Sequence, residues 1–293
     1  MNKLVLIPVL LAAACQQDTK NLERKLDQII AKLDKVGTGG AAGAAGAAGA
    51  QRPQRPEPDR AKTYAVPVAG DAFDGPADAK VTLVKAYDYA CPYCEKVRPT
   101  MEELHKKYGN DLRVVYKQLV VHPRNAMASA LAFCAAGKQG KHKEMNVLLW
   151  DKGFKARNMD LSDAAATAEK TDGAKGGAQG PQKCWDTADG CKITVGFAQE
   201  LQLDVNKFKA DMKGECNAIV QADMKSLSQL GVAATPGFFV NGRFISGAVP
   251  IENFQSMIDE ELKKANERIQ QGTPAAQYYQ QWVIDKGQKT LGG

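Results

Sequence analysis

Lys80-Val-Thr-Leu-Val-Lys-Ala86, followed after Tyr87-Asp88-Tyr89-Ala90 by Cys91-Pro92-Tyr93-Cys94, is the stretch on which the reading of this chain turns. Its first segment is a run of β-branched and apolar residues with the composition of a strand. From about Cys91 to Tyr108 the pattern becomes helical. A thiol at the head of a helix faces unpaired backbone N–H groups, which favour its thiolate form by roughly 0.3 to 2 kcal/mol. The thiolate is the species that attacks disulfides. Pro92 suits the first turn because its φ is fixed and it has no N–H to leave unpaired. Cys94 stands one helical turn further on, where it can resolve a mixed disulfide. The competing uses of such a pair are half of a zinc site or an inert staple. Zinc needs a second matched pair, and Cys184 and Cys191 do not have the usual spacing. Redox chemistry is therefore expected, with no metal.

Downstream, Leu112 to Val120 reads as a second strand, and Asn125 to about Leu230 as a long helical region broken by the loop-like Gly173-Ala-Lys-Gly-Gly-Ala-Gln-Gly-Pro181. Phe238-Phe-Val240 and Arg243-Phe-Ile-Ser246 flank Asn241-Gly242, a strong hairpin signal. A last helix spans about Ile251 to Gln271. Thr235-Pro236 enters the hairpin strand, where proline has no ladder donor; a cis bond there would leave the Thr235 backbone groups free to pair with an extended substrate chain. Strand, helix, strand, helical block, hairpin and helix describe an α/β chain with a small mixed sheet and a helical insertion.

Upstream the composition changes. Met1-Asn2-Lys3 and the apolar run Leu4 to Ala14 form a signal peptide, residues 1–14, too short for a membrane span of about 20 residues. Leu11-Ala-Ala-Ala-Cys15 resembles a bacterial lipoprotein signal, which makes Cys15 the lipidated residue; Ala12 departs from the usual Leu, Val or Ile, and an ordinary secretory signal is the alternative. Leu22, Leu26, Ile29, Leu33 and Val36 follow a heptad spacing, so residues 15–36 read as a lipid anchor and short coiled-coil stalk, through which copies of the chain associate or which stands as a lone polar helix near the membrane. Residues 37–62 are a Gly/Ala-rich and then Pro-rich linker. Setting Cys15 aside, six of the seven cysteines remain, an even number for a compartment that permits disulfides.

Over all 293 residues the chain is 44% apolar and 25% charged, with net charge +6 and pI near 8.8. Opposite charges are interleaved and form no basic run, so nucleic acid is not expected as a partner. The three histidines are dispersed and no phosphate-binding G-x-x-x-x-G-K-[ST] loop occurs, which sets aside His-rich metal catalysis and nucleotide hydrolysis.

Taken together, Asp78 to Val84, Asp88 to Cys94, Gly140-Lys-His-Lys-Glu-Met145 and Gly231-Val-Ala-Ala-Thr-Pro-Gly-Phe-Phe-Val-Asn-Gly242 resemble the DsbA-like branch of the thioredoxin superfamily, in its lipoprotein form. The resemblance covers about Tyr64 to Gln271. It implies a thioredoxin fold with an inserted helical domain: domain 63–271, insertion about 121–230, and a C-terminal tail 272–293. It further implies Cys91 as nucleophile, Cys94 as resolving thiol and Pro236 as cis-proline, with Pro92, Tyr93 and Thr235 meeting the substrate and no cofactor. Cys134 and Cys216 fall in the inserted helices. Of the three connectivities open to the four remaining cysteines, Cys184–Cys191 with Cys134–Cys216 is expected, the alternative being a buried free thiol at Cys134.

Lys85 departs from the family, which usually has an acid six residues before the nucleophile. It either modulates the cysteine pair, favouring the thiolate and a more oxidising disulfide, or lines the core with its ammonium reaching water. The activity implied is thiol–disulfide exchange in unfolded or cysteine-containing proteins, recycled by a membrane redox partner, in the periplasm on a lipid anchor in the outer or inner membrane. An isomerase or reductase, suggested by Thr235 and the stalk, and a non-enzymatic envelope lipoprotein or soft-metal-binding module are the alternatives.

Overall fold

Seven consecutive buried residues, Val81–Tyr87, form the strand β2 on which the domain is built. The structure, a computed structural model, describes residues 56–163 and 182–292. The signal peptide, Cys15, the stalk, most of the linker and the Gly173–Pro181 loop lie outside the described residues.

β2 is central in a five-stranded sheet of order β1-β3-β2-β4-β5, with β1 Phe73–Asp74, β3 Leu112–Gln118, β4 Gly237–Val240 and β5 Arg243–Ser246. β2 runs parallel to β3 and antiparallel to β4; β1 and β5 are antiparallel edges. A parallel neighbour demands a crossover. Helices α1 (Pro92–Lys96) and α2 (Arg98–Tyr108) supply it. The unbroken run of buried residues follows from cover on both faces. Val81 and Leu83 pack with Met101 and Leu104 of α2 and with Phe254 and Ile258 of the last helix, Ile251–Gln270. Val84 and Ala86 meet Phe239, Phe244 and Leu227 on the other side.

The helix expected from Cys91 to Tyr108 is therefore two helices. Pro99 has no N–H for the carbonyl of Glu95, which removes the hydrogen bond that would have joined them. The helical block is also more divided than its composition suggests. It holds α3 (Pro123–Gly137), α4 (His142–Leu148) continuing into a wider turn over Leu149–Phe154, α5 (Lys192–Glu200), α6 (Val205–Lys213) and α7 (Glu215–Gln229); the last helix is α8. α6 has its own start signal, since the Asp204 carboxylate accepts from the Lys207 N–H. β3 stops at Gln118 rather than Val120, and β1, two residues long, is too short to leave a pattern.

The hairpin turns at Asn241-Gly242, with φ of 43° and 85°. The Tyr64 N–H donates to the Gly242 carbonyl at 2.9 Å, and a Cβ on Gly242 would stand 2.6 Å from the Tyr64 carbonyl oxygen, so only glycine fits. The residues after Gln271, set apart in sequence as a tail, pack back on this edge. Tyr278 and Val283 are buried, Gln288 bridges Tyr64, and the Tyr279 hydroxyl donates to the Val66 carbonyl at 2.9 Å.

Two disulfides brace the helical insertion, Cys134–Cys216 between α3 and α7 and Cys184–Cys191 before α5. The first joins residues 82 apart in sequence and the second residues 7 apart. Loop-closure entropy then sets their ranking: losing the long link should cost about 4 kcal/mol and losing the short one about 2 kcal/mol. Urea unfolding of the Cys134→Ala/Cys216→Ala and Cys184→Ala/Cys191→Ala pairs checks this, and equal losses would contradict it.

Candidate functional site

At the carboxyl end of β2 the chain must turn out of the sheet into α1, and Asp88 fixes that turn. Its fully buried carboxylate accepts the N–H of Ala90 at 2.6 Å, of Val121 at 2.7 Å and of His122 at 2.8 Å. The end of β2 is thereby tied to the segment that leaves β3. The Cys91 N–H donates to the Asp88 carbonyl at 3.1 Å and the Cys94 N–H to the Cys91 carbonyl at 3.1 Å, which sets Cys91 at the head of α1.

Both cysteines are free thiols, Cys91 4% exposed and Cys94 fully buried. The fold brings Thr235 and Pro236 to them across the sequence, Thr235 lying 144 residues from Cys91: the Thr235–Pro236 peptide is cis, and the Cys91 thiol donates to the Thr235 carbonyl oxygen at 3.3 Å. Once that proton has left, the Thr235 hydroxyl, otherwise without a partner among the described residues, is a donor for the thiolate. Cys91 is held down at about 5, first by the hydrogen bond from the Cys94 thiol, against the cost of burial, and then by Thr235 and the backbone N–H groups of Cys94 and Tyr93. Cys94 moves the opposite way, its thiol pushed up chiefly by burial and by its bond to Cys91. One sulfur is thus ionised at neutral pH while its neighbour keeps its proton. Pro92 and Tyr93 lie outside this buried group, Tyr93 at 62% exposure.

Lys85 sits beneath the pair and is 3% exposed. The reading in which its ammonium reaches water is corrected: Nζ lies 4.9 Å from the Tyr87 ring centroid and 5.9 Å from that of Tyr116. Residues 81, 83, 85 and 87 share one face of β2, and Lys85 stands in register with Tyr116 and Phe238, so its stem has no route around the helices that cover this face. Burial lowers it to about 8, and its attraction to Cys94, not to Cys91, is the main opposing influence.

Three features here escape a reading of the sequence. Asp88 is visible only as a polar residue before the cysteines. A chain of donors runs from Gln118 Nε2 to the Tyr87 hydroxyl at 2.6 Å, on to the Tyr89 hydroxyl at 3.1 Å and to Asn146 Oδ1 at 2.9 Å. Lys117, on β3, is buried between Asp71 and Asp223 at 2.7 and 2.5 Å. Only the odd presence of lysine in an apolar strand hints at the last. Among the described residues no group of three His, Cys, Asp or Glu side chains could hold a metal ion.

Residues 68–260 match the family described as thioredoxin. Curated relatives include a Na(+)/H(+) antiporter NhaA 1 of Salinispora arenicola, 31% identical over 64% of this chain and 24% of that protein, and NhaA 3 of Salinispora tropica, 30% identical over 69% and 26%. The chain spans about a quarter of the length of these relatives. Among solved structures, it is similar to a thioredoxin-like oxidoreductase from Silicibacter pomeroyi (22% identity, TM-score 0.50, 67% of this chain and 94% of that one). It is also similar to alpha-DsbA1 from Wolbachia pipientis (14% identity, TM-score 0.51, 70% and 96%). Both likenesses are of fold.

Proposed function

The chain belongs to the thioredoxin family, with a thioredoxin fold carrying an inserted helical domain, and from that premise we propose that it is an extracytoplasmic thiol–disulfide oxidoreductase acting on protein substrates through Cys91 and Cys94. The observation that carries the reading is a pair of free thiols at the head of α1, with the Cys91 sulfur against the carbonyl of the cis Thr235–Pro236 peptide, an arrangement that lowers Cys91 and raises Cys94. In the reducing direction the Cys91 thiolate attacks a substrate disulfide, the S–S bond breaks, and the departing substrate sulfur takes up a proton. Cys94 then loses its proton and attacks Cys91 Sγ, which frees the second substrate thiol and leaves a Cys91–Cys94 disulfide. Oxidation of a substrate dithiol is the same path reversed. No cofactor is required, since the electrons pass between sulfurs.

Pro92, the exposed Tyr93 and Thr235 frame the opening through which a substrate sulfur would reach Cys91. The signal segment and Cys15 support a lipid-anchored periplasmic location, where cysteine-containing proteins and a membrane redox partner would meet the site. Among the described residues no helix is long and apolar enough to cross a membrane. Ion antiport, named for the Salinispora relatives, is not carried over to a chain that spans a quarter of them. Insulin-disulfide reduction and refolding of a scrambled multi-disulfide protein test the reading: turnover in the first supports the oxidoreductase, turnover in the second would place it among isomerases, and inactivity in both would overturn it.

Lys85 is proposed as a positioning residue for Cys94. Removing its buried positive charge in Lys85→Met should raise Cys94 further, because an opposite charge within reach moves a pKa by about 1 to 3 units. Release of substrate from the mixed disulfide should slow by about tenfold per unit, with little change in the titration of Cys91. A shift confined to Cys91 would contradict this.

A further inference from the structure

On the flank of the domain opposite in role to the cysteine pair, a cavity of about 500 Å³ opens between the segment leading into β1, the sheet, α3 and α7. Its walls carry a charge imbalance. Asp71 and Asp223 both line it, with side chains 4% exposed, and both are bonded to the single ammonium of Lys117. The other charged groups on the wall, Glu215 and Lys138, are paired with each other, and the His142 ring is hydrogen-bonded to Asp74. With both carboxyls ionised, one negative charge is left over in a buried place and is costly unless paired; the hydrogen bond between the two carboxyls lets the free protein share a proton there instead. Burial, reinforced by the charge of Asp223, accordingly pushes Asp71 up to about 6.

A second, independent feature lies in the same wall. Gln118 is 3% exposed and its Oε1 has no hydrogen-bond partner among the described residues. Its orientation is dictated from the far end of the donor chain. Asn146 Oδ1 accepts from Trp150 Nε1 at 3.1 Å and from the Tyr89 hydroxyl at 2.9 Å, so Tyr89 accepts from Tyr87 and Tyr87 from Gln118 Nε2. The amide nitrogen is thereby committed to Tyr87, and the oxygen is left as an acceptor awaiting a donor. Beside the Glu215–Lys138 pair and His142, the cavity presents the aromatic rings of Phe73, Tyr116 and Phe133.

We propose that this cavity is a binding site for a small organic cation, a protonated primary amine on an apolar body. The ammonium supplies the missing positive charge to Asp71 and Asp223 and a donor for Gln118, and the aromatic walls take the body, with cation–π attraction added. The site shares no residue with the thiol chemistry proposed above, so the two readings stand or fall separately.

Calorimetric titration of the full-length protein at neutral pH with phenethylamine, and with 2-phenylethanol as its uncharged counterpart, tests the proposal. One saturable site for the amine is expected, at least about tenfold tighter than for the alcohol, since loss of one buried charge contact is worth that factor or more. Asp71→Asn should lower the amine's affinity to that of the alcohol and leave the alcohol unaffected, while Cys91→Ser should alter neither. Absence of saturable amine binding, equal affinity for the two compounds, or undiminished amine binding in Asp71→Asn would each overturn it.

Discussion

Cys91→Ser should leave the protein folded and bring insulin-disulfide reduction down to the uncatalysed rate. The substitution is close to isosteric, and the serine hydroxyl can keep the hydrogen bond that the thiol gives to the Thr235 carbonyl at 3.3 Å, so the turn braced by Asp88 has no reason to open. What disappears is the ionised sulfur of the pair, because a serine hydroxyl is no nucleophile at neutral pH without a base. Cys94→Ser separates the two roles. Cys91 can still attack, but nothing resolves the product, so a covalent complex with substrate should accumulate on non-reducing gels and dissolve on adding reductant. Turnover surviving in Cys91→Ser, or no trapped complex in Cys94→Ser, would show that the sulfurs do not divide the labour in this way.

Lys117→Met should cost about 3 to 5 kcal/mol, the range expected when one partner is removed from a buried ionic group. Asp71 and Asp223 would be left facing each other with no cation, and both are already raised by burial with Lys117 in place. The sign with pH follows from that direction. A carboxyl raised in the folded state to about 6 from an ordinary 3.8 holds its proton more tightly folded than unfolded, so its ionisation opposes folding increasingly as pH rises through 6. Without Lys117 the opposition grows, and the loss should be larger at pH 7 than at pH 5. Urea unfolding at both values measures it; a loss below about 1 kcal/mol, or one larger at low pH, would contradict the account.

The sheet was legible because its signals are local. Val81 to Tyr87 is a mostly apolar and β-branched strand with Lys85 as its one charge, and Asn241-Gly242 fixes both the turn and the register of the strands around it. The cysteine pair was legible because two residue types at one spacing carry the chemistry. The divisions inside the helical block were harder to read: Gly140 sits at φ 75° after α3 and Asp204 caps α6, and neither stands out in a region rich in Ala, Lys and Gly. The buried polar groups of the domain were not legible at all. Asp88, Gln118 and Lys117 act on groups that lie 30 or more positions away in sequence, such as Asp88 with Val121 and Lys117 with Asp223. Nothing short of the fold itself brings such partners together. Lys85 shows the same limit, since its place in the strand was plain while the choice between the cysteine pair and water depended on what packs over that face.

The central claim is that Cys91 is the ionised sulfur and Cys94 its protonated partner, and titration of thiolate absorbance in the reduced protein tests it most directly. The account predicts one step with a midpoint near 5, absent in Cys91→Ser, and no contribution from Cys94 below pH 9.0. A first step near 9.0, the ordinary value for a thiol, or a step near 5 that survives in Cys91→Ser, would contradict it.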